Sequence, residues 1–124
     1  MSIVKEEAAI AHEMHGATFH SFVAPSSGSR ELCAWRLEVA GGTAGVEHRV
    51  SREEVVLLIS GELTVTVDGV PGTLRAGDVA FVPAGSAFRV DNRSGGPASA
   101  WVTTSVGLEA VLPDGSSIRP PWTR

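Results

Sequence analysis

His48 and Glu54 are the residues whose types and spacing could do chemistry together. An imidazole and a carboxylate brought to one place can form an acid/base dyad or supply two ligands to a divalent ion. Glu54 shares its parity with Val56 and Leu58, which predicts a side chain facing an apolar interior. A carboxylate in such a place needs a partner, and His48 is the obvious one. Burial would raise the pKa of that acid and a nearby imidazolium would lower it. The sequence leaves both a structural hydrogen bond and an acid/base pair open. His20 stands on a strand candidate at the parity of Thr18 and Phe22 and is the next donor to consider, whereas His12 and His15 reach the pair only by folding back. Glu47 and Glu53 adjoin the two key residues, but neighbours on a strand point to opposite faces. Cys33 is the single cysteine. It excludes an intrachain disulfide and a cysteine-based zinc site, and it reads as a small buried hydrophobe. No Gly-x-Ser-x-Gly elbow occurs, and neither Gly41-Gly42 nor Gly95-Gly96 leads into a helix that would cradle phosphate.

The elements that must hold these residues are strands. A chain of 124 residues, 43% of them apolar and 19% charged, is long and hydrophobic enough for one folded domain. Its 14 glycines and 7 prolines argue for short strands and tight turns over long helices. Period-two patterning runs through Ala17 to Val23, and Cys33, Trp35, Leu37 and Val39 share one face of the next strand. Further strand candidates lie at 46–50, 55–59, 63–67, around Val79 and Phe81, around Phe88 and Val90, and at 98–105. Asp68-Gly69 between alternating segments is a strong hairpin signal. Eight to ten short strands with turns at such spacing predict an antiparallel sandwich or barrel, and the lack of crossover helices excludes a parallel α/β fold. Residues 1–15 form a lead-in of ambiguous structure, 16–112 the barrel, and 113–124 a proline-rich tail. That tail reads as a disordered end or as an arm laid over a neighbouring subunit with Trp122 as anchor.

Between Gly42 and Asn92 the sequence resembles the cupin superfamily. The family's first motif places Gly, five residues, His-x-His, three or four residues, Glu, six residues, Gly. Gly42, His48, Glu54 and Gly61 match it. The second motif places Gly, five residues, Pro-x-Gly, two residues, His, three residues, Asn. Gly77, Pro83, Gly85 and Asn92 match that one. The resemblance implies an all-β double-stranded β-helix, a jelly-roll barrel, and commonly a homodimer. It also implies a metal site made of two histidines and a glutamate of the first motif and one histidine of the second. Here Val50 and Phe88 stand at two of those histidine positions, leaving His48 and Glu54. Half a cage holds a divalent ion poorly. No metal or other cofactor is expected, unless His20 completes a set with His48 and Glu54.

Trp35, Val50, Phe81, Phe88 and Trp101 are candidates to line an apolar ligand cavity, or to fill a small barrel solidly. The leading expectation is a small-molecule-binding cupin with a degenerate metal centre. Any chemistry would then be metal-free proton transfer with Glu54 or His48 as base. One alternative is a metal-dependent enzyme of dioxygenase or isomerase type. Another is a non-catalytic sensing or interaction domain. A net charge of −4 without a basic run argues against nucleic acid. No segment approaches the length of a membrane span and no signal peptide is recognisable, so the expected location is the cytoplasm.

Overall fold

The structure is a computed structural model that describes residues 2–124. Among the described residues there are twelve strands: β1 (Ile10–Met14), β2 (Ala17–Val23), β3 (Leu32–Val39), β4 (His48–Val50), β5 (Glu54–Ser60), β6 (Glu62–Val67), β7 (Val70–Arg75), β8 (Val79–Val82), β9 (Ala87–Asp91), β10 (Ala98–Ser105), β11 (Ala110–Val111) and β12 (Ser117–Ile118). They form two antiparallel six-stranded sheets, ordered β1-β2-β3-β10-β5-β8 and β12-β11-β4-β9-β6-β7. The fold is an antiparallel all-β barrel, as the patterning predicts, and has the jelly-roll form that the family resemblance implies.

Alternation decides which side chains meet between the sheets. Along β10 burial alternates at every position, and along β5 Glu54, Val56 and Leu58 are buried while Val55, Leu57 and Ile59 are exposed. The inward rows of both sheets make one core that includes Trp35, Leu37, Val56, Leu58, Leu63 and Val102. Asp68 and Gly69 join β6 to β7 with φ of 48° and 80°, the positive pair that a type I′ turn requires. Gly61 separates β5 from β6 at φ 81°, where an added Cβ would fall 2.5 Å from the Pro97 carbonyl oxygen. Only glycine fits so close an approach.

Both ends of the chain differ from their expected character. Residues 10–14 are a strand of the barrel rather than part of a lead-in: β1 pairs with β2 of the same chain, from Ile10↔Ser21 to Met14↔Ala17. The intervening His15-Gly16 turn has φ of 53° and 76°. The strand escapes apolar patterning because it is stabilised by backbone pairing and only Met14 and His12 are partly buried. The tail packs onto its own barrel. Its residues Ser117–Ile118 pair with β11, and Pro121–Thr123 make a 3-10 turn that buries Trp122 in its own barrel.

Candidate functional site

Inward positions of β3, β4, β5, β9 and β10 surround a cavity of about 140 Å³, closed in part by Leu112, Ile118, Pro120 and Trp122 of the C-terminal segment. Glu54, His48, Val50, Phe88 and Trp35 all line it. Their convergence follows from register. His48 and Val50 lie two apart on β4 and so share a face, and His48 sits directly opposite Phe88 on β9. Glu54 begins β5 opposite Val82 on one side and Thr104 on the other, all three buried.

Glu54 is 4% exposed. Burial alone acts on its carboxyl and pushes its pKa from 4.5 up to about 8, with no hydrogen bond or neighbouring charge to oppose the desolvation. The expected pairing with His48 is not formed. His48 Nδ1 lies 2.9 Å from the carbonyl oxygen of Val46, in the segment just before β4, and its ring packs edge-on against Phe88 at 5.5 Å. A local partner and an aromatic wall hold the imidazole away from the acid.

Three other expected site residues lie elsewhere. His20 faces the outside of its sheet, opposite Arg36, with Nε2 3.6 Å from Glu38. The inward position is its neighbour Phe19, so His20 cannot join His48 and Glu54. Phe81 is 54% exposed because Val82, fully buried, takes the inward parity of β8. Trp101 also points outward, where it meets Phe22 at 5.3 Å. Sequence reasoning missed the C-terminal wall. Trp122 stacks on Phe19 with centroids 3.6 Å apart and planes at 9°, and meets Trp35 edge-on at 6.5 Å. The Ser21 hydroxyl donates to the Trp122 carbonyl at 3.0 Å, which fixes the turn to β2. The apolar tryptophan after two prolines was the only signal for this wall.

The motif residues divide by role. Gly42, Gly61, Gly77 and Gly85 all have positive φ. Asn92 is fully buried and donates to the carbonyls of Val39 and Gly96 while its Oδ1 accepts from Ser94. These positions serve the loops. Two of the four metal-ligand positions carry hydrocarbon, and among the described residues no group of three or more His, Cys, Asp or Glu is placed to hold an ion. A neutral carboxyl and one imidazole are an incomplete donor set for a divalent cation.

A family model described as a cupin domain matches residues 35–105. The chain belongs to the cupin family. No curated protein matches this cupin. Solved structures similar to it include an RmlC-like cupin from Shewanella frigidimarina, at 24% identity and TM-score 0.73 over 85% of this chain and 90% of that one. The polyketide cyclase RemF from Streptomyces resistomycificus is similar at 15% identity and TM-score 0.75, over 85% and 79% of the two chains. A sugar phosphate isomerase from Silicibacter pomeroyi is similar at 15% identity and TM-score 0.73, over 98% and 94%. Such likenesses establish the cupin barrel and leave its chemistry to the site. Among the described residues no helix is long and apolar enough to cross a membrane.

Proposed function

We propose that this cupin binds a small organic molecule in its barrel cavity without a metal ion. The observation that carries the reading is Glu54, a buried carboxyl without a protein partner in an apolar chamber. An orphaned polar group is costly to maintain for packing alone, and a ligand supplies what the wall withholds. Where chemistry accompanies binding it is proton transfer, with the neutral Glu54 as acid and His48 as base.

Metal analysis and a back-substitution test the reading. Protein purified without chelators is expected to carry no stoichiometric Fe, Mn, Ni or Zn. The double variant V50H/F88H places two further imidazoles beside His48 and Glu54. It is expected to gain divalent-ion affinity at least a hundredfold over the parent, as the ion's charge draws the proton off Glu54. A stoichiometric ion in the parent protein overturns the proposal.

This cupin is further proposed to form a homodimer through the outward face of β5 and β8. Val55 lies beside Phe81 and Leu57 beside Val79, with Trp101 continuing the row on β10. Ile59, Val79 and Phe81 are each about half exposed, at 49%, 55% and 54%. These rows contain no charged side chain, so a two-fold axis would lay the face on itself without opposing like charges. F81K is expected to convert a dimer to a monomer in sedimentation equilibrium with an unchanged melting temperature at low concentration. A parent that sediments as a monomer at high concentration refutes the interface.

A further inference from the structure

The chemistry of the cavity wall narrows the class of ligand. Among the described residues, no Lys or Arg lines the cavity, and the ionisable groups that do are His15, His48 and Glu54. A phosphate or carboxylate placed there would lose its hydration with no guanidinium or ammonium to replace it. The wall is otherwise almost wholly hydrocarbon. The Glu54 carboxyl makes no hydrogen bond to the protein, although its residue is only 4% exposed. The free space, about 140 Å³, is close to that of a dry apolar cavity that holds a benzene-sized molecule.

We infer that the ligand is an uncharged, ring-sized apolar molecule carrying an oxygen acceptor such as a carbonyl, which takes a hydrogen bond from the carboxyl of Glu54. The inference rests on the small-molecule reading above and adds the ligand's charge, size and polar handle. A neutral carboxylic acid is both a donor to a carbonyl oxygen and a compatible neighbour for hydrocarbon. The same wall disfavours sugar phosphates and dicarboxylates, because no guanidinium or ammonium lines it and two imidazoles are its only groups that could carry positive charge.

Three probes of similar size test the inference by titration followed in two-dimensional NMR at pH 6.5: cyclohexanone, benzene and cyclopentanecarboxylate. The parent protein is expected to bind cyclohexanone about tenfold more tightly than benzene, one hydrogen bond's worth, and to leave cyclopentanecarboxylate unbound. E54Q, whose amide still donates, is expected to keep that preference, and E54L to lose it while still binding benzene. The parent is expected to lose the preference at pH 9.5, whereas E54Q keeps it. Binding of the carboxylate as tightly as the ketone, or a ketone preference that survives in E54L, overturns the ligand class and leaves the small-molecule reading standing. Failure of both uncharged probes to bind overturns the two together.

Discussion

Replacing Glu54 by Gln is expected to stabilise this cupin, and the gain should grow with pH. In the unfolded chain the carboxyl ionises near 4.5, and in the folded barrel near 8. Below the lower value both states hold the proton and burial costs no ionisation energy. Between the two values the unfolded chain releases its proton while the folded one retains it, so stability falls as pH rises. Above the higher value both states are ionised and the loss is complete. At about 1.4 kcal/mol for each pH unit of that window, the full loss is ~5 kcal/mol. Glutamine is nearly isosteric and does not titrate. Urea unfolding of parent and E54Q should therefore agree within about 1 kcal/mol at pH 4.5 and diverge by several kcal/mol at pH 9, with the variant the more stable. Taking the difference between the two proteins cancels the titration of every other carboxylate. A parent whose stability matches that of E54Q at every pH would show that Glu54 is solvated or paired, and would remove the basis of the proposed site.

The second large effect is expected at Trp122. Its side chain is 7% exposed and stacks on Phe19, with Trp35 meeting its edge. It also helps to close the cavity. Trp122→Ala removes this wall from a segment otherwise tied to the barrel by the short pairing of β11 with β4 and β12 and by a few hydrogen bonds to its backbone carbonyls, such as that from Ser21. Truncating a buried aromatic costs ~3–5 kcal/mol, and here the neighbouring hydrocarbon is exposed through the opened chamber. Trp122→Ala is thus expected to lower the urea midpoint sharply and to increase binding of an apolar fluorescent dye. Trp122→Phe should recover most of the stability because it keeps the stack on Phe19. An alanine variant as stable as the parent, with no added dye binding, would mean that the C-terminal wall contributes little and that the tail can leave the barrel freely.

Cys33 packs beside the same C-terminal segment. It is fully buried, its Sγ lies 3.6 Å from the Thr123 carbonyl oxygen, and burial pushes the thiol pKa up. A thiol held protonated inside the barrel is a poor nucleophile, as its place on the inward row of β3 suggests.

Much of the barrel is determined locally and is therefore legible in the sequence. Period-two patterning locates β2 and β10 at their ends, and the Asp68-Gly69 turn, because side-chain parity and positive φ are properties of a few consecutive residues. The spaced glycines of the two motifs and Asn92 carry the family resemblance because they sit where the backbone tolerates little else. The inward place of Glu54 follows from its parity with Val56 and Leu58. What surrounds that carboxyl does not follow, because it depends on how strands far apart in the chain are stacked. The sequence offered His48 as the partner, and the tertiary structure turned the imidazole to the Val46 carbonyl. Parity alone leaves the faces of short strands ambiguous, and the inward positions beside Phe81 and Trp101 belong to Val82 and Val102. Trp122 belongs to the cavity only because folding returns the far end of the chain to Phe19. The residue types available to the site were set by the sequence, whereas the isolation of an acid among hydrocarbon walls is a property of the closed barrel.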